Sequence, residues 1–312
     1  VRSIALSQLV GKDVFLKLDA LQASGSFKDR GMAHLCHTLQ DQGFTKLVSS
    51  SGGNAGLAVA TIGKELDMKV SVIVPETTKS LVVNKLRSLG ADVKIFGENW
   101  NAADRLARQR VEEDPTSAYI SPYDNPLLWT GHSSMIDEIV EELPKGQELG
   151  AIVVSVGGGG LICGVLEGLH RRKLHKATVI AAETDGADCF GQAWTKGEMV
   201  VLPAITSVAT SLGALQATPV AIERAKDHEK LGGSVLSSVC TDAEAVYACV
   251  RFAQDHRLLV EPACGAALAI AYSERLRTKF LQEIKGSIVL EICGGSGVNI
   301  DLLKQWESEF LA

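Results

Sequence analysis

The chain has 312 residues, 46% hydrophobic and 22% charged, with a net charge of −6. That length supports one large α/β domain or two modest ones, each with a real apolar core. Charges are spread without a Lys/Arg block and only 5% of residues are aromatic, which excludes a strongly basic nucleic-acid or anionic-lipid surface and argues against base stacking.

Short β-branched runs alternate with longer helical patterns along the whole chain. Strands are expected over 14–18, 46–49, 70–74, 92–96, 151–155, 178–182 and 287–291. Between them, apolar residues at helical spacing predict helices over 56–66, 77–89, 101–113 and 241–256, with others beginning near Lys28 and Leu161. Strands apolar on both faces and separated by helices imply parallel sheets covered on both sides. The expected class is α/β, with two three-layer domains and mainly parallel sheets. Topology predicts a smaller domain, residues 39–130, inserted into a larger one made of 1–38 and 131–312. No solenoid repeat or low-complexity linker interrupts this layout.

The seven cysteines are Cys36, Cys163, Cys189, Cys240, Cys249, Cys264 and Cys293. They form no C-x-x-C pair and no Cys/His zinc spacing. Their odd number and apolar settings predict reduced thiols in the cytoplasm. No apolar run approaches the roughly 20 residues that span a bilayer, and no signal peptide is expected. The abrupt opening at Val1-Arg2-Ser3 suggests that further sequence precedes it. No long extension follows Ala312, so a separate amino-acid-sensing domain is not expected.

Three segments carry chemistry. In Ala23-Ser24-Gly25-Ser26-Phe27-Lys28-Asp29-Arg30-Gly31 a lysine stands at a helix start behind a small polar turn, where burial can make its amine reactive. Ser155-Val156-Gly157-Gly158-Gly159-Gly160-Leu161 joins a strand to a helix, so several backbone N–H groups and the helix dipole converge on one point suited to a phosphate monoester. A plain β–α turn, or a dinucleotide site using Gly157, Gly159 and Glu183, is the competing reading of that loop. Ser50-Ser51-Gly52-Gly53-Asn54-Ala55-Gly56 offers hydroxyls and free amides suited to the carboxylate of an amino acid, against the plainer reading of a capped glycine turn. His34, His37, His132 and His175 are read as structural or surface residues.

These segments, together with Glu261-Pro262-Ala263-Cys264-Gly265-Ala266-Ala267, Cys293-Gly294-Gly295, Tyr119-Ile120-Ser121-Pro122-Tyr123-Asp124 and Trp129-Thr130-Gly131-His132, resemble the L-serine dehydratase group of fold-type-II pyridoxal-phosphate (PLP) enzymes, whose fold is that of the tryptophan synthase β chain. The resemblance is collinear over nearly the whole chain. It implies that Lys28 carries PLP covalently, that Phe27 packs on one face of its ring and Ser211 on the other, and that Gly157, Gly158, Gly159, Gly160 and Leu161 hold the phosphate. Asn54 reaches the phenolic oxygen. Ser51, Gly53, Asn54 and Ala55 take the substrate carboxylate. Cys293 meets the pyridine nitrogen, where a thiol, no strong acid, leaves the nitrogen unprotonated and electron withdrawal mild. A monovalent cation, K+ by family habit, is implied at Glu183 with carbonyls of Gly157, Ala187, Leu212 and Ala214. The resemblance also implies β-elimination of L-serine to pyruvate and ammonia, L-threonine going to 2-oxobutanoate, in a cytoplasmic homodimer serving amino-acid metabolism and gluconeogenesis.

Two features depart from the group. Asp29 stands where serine dehydratases commonly have an apolar residue, and Phe27-Lys28-Asp29-Arg30-Gly31 resembles threonine synthase instead. The loop from Cys293 to Ile300 is slightly longer than the usual dehydratase version. Threonine synthase or serine racemase on the same fold is therefore an alternative, as is a nucleotide-binding Rossmann-like protein without PLP.

Overall fold

Strands apolar on both faces bury both by pairing in parallel beneath helices, and a computed structural model describing residues 1–78 and 80–312 contains two such sheets. In chain order the described elements are α1 (Ile4–Val10), β1 (Val14–Lys17), α2 (Lys28–Asp41), β2 (Lys46–Ser49), α3 (Asn54–Glu65), β3 (Lys69–Val74), α4 (Ser80–Ser88), β4 (Asp92–Ile95), α5 (Trp100–Glu113), β5 (Ser117–Tyr119) and α6 (Pro126–Glu142). They continue with β6 (Leu149–Ser155), α7 (Gly160–Arg171), β7 (Thr178–Thr184), α8 (Cys189–Lys196), α9 (Pro219–Lys230), β8 (Ser234–Cys240), α10 (Asp242–His256), α11 (Pro262–Tyr272), α12 (Glu274–Leu281), β9 (Ser287–Glu291) and α13 (Ile300–Phe310). Of the helix expected over 77–89, Lys79 lies outside the described residues.

Contacts divide the chain into Val1–Leu21 with His132–Ala312, and Gln22–Gly131. The lysine helix α2, expected with the larger domain, groups with the smaller unit, where it packs on α3.

The larger unit holds a five-stranded parallel sheet in the order β1-β9-β6-β7-β8. Its central helix, α11, is buried at every residue from Pro262 to Tyr272. A helix without a polar face is a core helix, and its small side chains let neighbours approach closely. A Cβ on Gly265 would lie 2.3 Å from the carbonyl oxygen of Ala245 on α10.

The smaller unit holds a four-stranded parallel sheet in the order β4-β3-β2-β5. Val48 and Ile73 from β2 and β3 pack on Ala103 and Ala107 of α5, with Leu106, Val111 and Tyr119 around them. Two short or polar strands, β5 and β8, were not expected from the sequence.

Candidate active site

In both sheets the strand order reverses next to the strand that feeds a glycine-rich loop. In the smaller sheet β2 is followed on one side by β3 and β4, while β5 returns on its other side. In the larger sheet β6 leads to β7 and β8 on one side, with β9 and β1 on the other. Loops leaving the carboxyl ends of such diverging strands open a crevice, the usual ligand position in open α/β sheets. Ser50–Gly53 follows β2, and Val156–Gly159 follows β6.

Within the smaller unit, α2 begins at Lys28, and its preceding residue Phe27 already has helical angles (φ −54, ψ −19) and provides no side-chain cap. The half-buried Lys28 donates from Nζ to the carbonyl of Pro122 at 2.6 Å, and the same Nζ lies 4.9 Å from the centroid of the Phe27 ring. The turn before it is closed by Asp29, whose Oδ2 accepts from the Ser24 N–H at 2.7 Å. The structure thus brings Lys28, Phe27 and the segment after β5 together.

The loop 50–54 is held at several points. Gly53 donates its N–H to Ser51 Oγ at 3.2 Å, and Ser51 donates its own to Ser49 Oγ at 3.3 Å. A Cβ on Gly56 would lie 1.8 Å from the Ser51 carbonyl oxygen, so only glycine lets α3 begin there. No side chain caps α3, whose first residues are Asn54 and Ala55. By contrast Asn99, Thr241 and Asn299 cap α5, α10 and α13. Ser51, Gly53, Asn54 and Ala55 therefore cluster at a helix start whose N–H groups suit an anion.

Within the larger unit, Gly160 and Leu161 open α7, with Gly159 in the left-handed region (φ +91) as an N-cap without a side-chain cap. A Cβ on Gly157 would meet the Leu212 backbone at 3.0 Å, and one on Gly159 would meet Ala221 Cβ at 2.8 Å. Gly158 accepts the Thr218 N–H through its carbonyl at 2.9 Å. The loop is therefore a tight backbone cradle at the N-terminus of a helix.

Cys293 lies two residues past the end of β9, the strand beside β6, at the point where this sheet's order reverses. The adjoining Cys264 thiol and burial push the Cys293 thiol well above its ordinary range, so it stays neutral. The glycine loop after it rests on Glu261, whose Oε2 accepts from the Gly297 N–H at 3.3 Å. Gly295 (φ +116) leaves no room for a side chain, since a Cβ would lie 1.9 Å from Glu261 Cδ. Neither Glu261's contact nor the Pro122 carbonyl was assigned from sequence, because each acts across a long chain separation.

Ser211 is exposed, in a short 3-10 turn from Thr210 to Leu212. Glu183 is wholly buried, and its two oxygens accept from the N–H groups of Phe190 at 2.9 Å and Gly191 at 2.7 Å. Burial pushes its carboxyl well above the usual range, against the pull of those two bonds. Of the carbonyls grouped with it by resemblance, Gly157 accepts from the Cys189 thiol at 3.6 Å and Leu212 from the Ala214 N–H at 2.7 Å. Ala187 is tied to Thr184, the last residue of β7.

Residues 1–294 match the family described as pyridoxal-phosphate dependent enzyme. The L-serine dehydratase/L-threonine deaminase of Mus musculus is 43% identical over 306 residues, covering 97% of this chain and 91% of its own. A serine dehydratase-like protein of Rattus norvegicus is 42% identical over 313 residues, covering 99% and 93%. Among solved structures, a fungal L-serine ammonia-lyase from Rhizomucor miehei superposes with a TM-score of 0.90 at 30% identity, covering 99% of this chain and 97% of that one. Maize serine racemase superposes with a TM-score of 0.87 at 24% identity, a likeness of fold alone.

Proposed function

The chain belongs to the pyridoxal-phosphate dependent enzymes, and from that premise we propose that it converts L-serine to pyruvate and ammonia and L-threonine to 2-oxobutanoate and ammonia. The observation that carries the reading is the 43% identity to an L-serine dehydratase/L-threonine deaminase across 97% of this chain.

The residues present fit the cofactor. Gly157 and Gly159 leave no room for a Cβ, which keeps the loop's backbone close-packed at the N-terminus of α7, whose positive dipole end would attract a phosphate. The neutral Cys293 thiol suits an unprotonated pyridine nitrogen. Bound there, PLP supplies an electron sink for the pair released when the substrate Cα–H bond breaks. Lys28 supplies the amine that holds the cofactor and, when freed, the base that takes the Cα proton. Phe27, Ser211, Leu161 and Asn54 would help to hold the cofactor, Phe27 and Ser211 through its ring, Leu161 through its phosphate and Asn54 through its phenolic oxygen. Ser51, Gly53, Asn54 and Ala55 hold the substrate carboxylate through hydroxyl and N–H donors. A neutral Cys293 thiol would leave the ring nitrogen unprotonated, so the bound group would withdraw electrons only mildly, which suits elimination better than racemisation.

Incubation of the purified protein with L-serine, L-threonine and O-phosphohomoserine in separate reactions tests this. Pyruvate, 2-oxobutanoate and ammonium are expected, with no threonine from the third substrate and D-serine at most a minor product. Borohydride reduction and peptide mapping should place the cofactor on Lys28. Threonine as the main product, or the adduct on another lysine, would overturn the assignment.

Seven buried thiols fit a reducing compartment, and we assign the protein to the cytoplasm as a homodimer, checked by fractionation and by light scattering. We also assign K+ to Glu183 and the carbonyls of Gly157, Ala187, Leu212 and Ala214. KCl should raise the melting temperature above that in LiCl at equal ionic strength, and equal melting temperatures would remove the assignment.

A further inference from the structure

The end of β2 is tied to the end of β5 by a network that the function above does not use. Its centre is Asp104 on α5. Oδ1 of Asp104 accepts from Ser50 Oγ at 2.6 Å and from the Tyr119 hydroxyl at 2.5 Å. Its Oδ2 accepts from Arg108 Nε at 2.8 Å, and the Arg108 guanidinium lies 4.1 Å from the centroid of the Tyr119 ring. Ser50 is 1% exposed and Asp104 9%. Burial pushes the Asp104 carboxyl up, but the hydrogen bonds from Ser50, Tyr119 and Arg108 outweigh it and leave its pKa below the usual value.

A buried charged group is often no more stabilising than a well-packed apolar one of the same volume. Position 104 follows Ala103, whose side chain is in the apolar cluster of this unit. What a carboxylate adds there is geometry. It fixes the hydroxyl of Ser50, the residue directly before Ser51, and it fixes Tyr119 on the strand lying along the other side of β2. Ser50 and Tyr119 thus mark the two sides of the point where this sheet's order reverses.

We propose that Asp104 is a positioning residue for the substrate carboxylate, acting through Ser50 to hold loop 50–54 so that Ser51 Oγ and the N–H groups of Asn54 and Ala55 converge on one anion. This deepens the assignment of L-serine as substrate and rests on it. Asp104 touches no reacting atom. Its contribution is pre-organisation of a backbone anion site, which lowers the cost of ordering the loop when substrate binds. Substrate affinity is therefore the quantity it controls.

The test uses the holoenzyme and the variants Asp104→Ala, Asp104→Asn and Ser50→Ala. Asp104→Ala should raise KM for L-serine about tenfold, with kcat within about twofold of the parent. It should also speed hydrogen exchange of the backbone amides in residues 50–56 about fivefold, a readout independent of turnover. Asp104→Asn keeps an acceptor for Ser50 and Tyr119 and should recover most of the KM. Adding Ser50→Ala to Asp104→Ala should change KM by less than about twofold, since both act through one contact. Unchanged KM and exchange in Asp104→Ala overturn the proposal, as does a loss confined to kcat. Should Asp104→Ala fail to fold, Ser50→Ala decides in the same way, because it leaves the Asp104–Arg108 pair in place. If the parent protein does not turn over L-serine, the substrate assignment falls. Exchange of residues 50–56 then still reports whether Asp104 holds the loop.

Discussion

Asp29 follows the lysine where the resemblance to the dehydratases leads one to expect an apolar side chain, and its geometry gives the carboxylate a task. It is 5% exposed, and its Oδ2 takes the N–H of Ser24, itself buried, at 2.7 Å. A carboxylate in the first turn of α2 also favours the positive end of the helix dipole. The residue therefore clamps the turn that delivers Lys28, a structural task compatible with either dehydratase or threonine synthase chemistry. Asp29→Ala leaves a buried N–H without its acceptor, and a hydrogen bond to a charged group is worth roughly 1.5–3 kcal/mol. Urea denaturation should show a loss of about that size for Asp29→Ala and a smaller one for Asp29→Asn, which retains an acceptor oxygen. Equal stability of the parent and Asp29→Ala would remove the clamp.

At the scale of elements, the β6–α7 connection depends on backbone that only glycine adopts comfortably. Gly159 has φ +91 and its added Cβ would lie 2.8 Å from Ala221 Cβ on α9. A left-handed residue with a Cβ costs about 1–2 kcal/mol, and overpacking adds about 1–3 kcal/mol. Gly159→Ala should lower the stability of the cofactor-free protein by about 2–5 kcal/mol in urea and weaken cofactor binding at equilibrium dialysis. Unchanged values for both would mean that the cradle is more pliable than its contacts indicate. This loop was legible in the sequence because the glycines are contiguous and sit between a β-branched run and a helical pattern. The doubly apolar strands β2, β3, β6, β7 and β9 were legible for a similar reason. By contrast β5 has three residues, and β8 is a serine-rich edge strand in which only Val235, Ser238 and Cys240 are buried, so neither gives an apolar run. The Asp104 network was invisible for a different reason. Its partners stand 54 and 15 residues away, and helical periodicity at position 104 does not reveal which strand ends α5 will cross. The grouping of α2 with α3 likewise follows from packing rather than from order along the chain.

Across the whole molecule, the seven free cysteines are all buried, and this couples folding to alkaline pH. Burial pushes the thiols of Cys36 and Cys240 up to about 12, and burial beside Glu183 does the same to Cys189. Burial raises Cys249 well above its usual value, while Cys264's hydrogen bond and burial do so for Cys293. In the unfolded chain a cysteine titrates near about 8.5. Above that pH the unfolded state has lost protons that the folded state retains, so stability falls as pH rises until the folded-state pKa is passed. Below about pH 8 the contribution is fully present. Each such thiol lowers stability by up to about 1.4 kcal/mol per pH unit in that window, so five together reach about 7 kcal/mol per pH unit. The whole stability of a typical domain is about 5–15 kcal/mol. Tyr119, pushed up to about 12 by burial and by Asp104, adds to the same trend once its unfolded value near about 10 is passed. Under reducing conditions, urea midpoints should hold steady from pH 7 to 8 and drop steeply from pH 9 to 10.5, with unfolding near the upper limit in the absence of denaturant. Cys36→Ala should flatten that slope by about 1.4 kcal/mol per pH unit, one proton's worth. A stability profile level to pH 10.5 would mean that these thiols ionise without unfolding the chain.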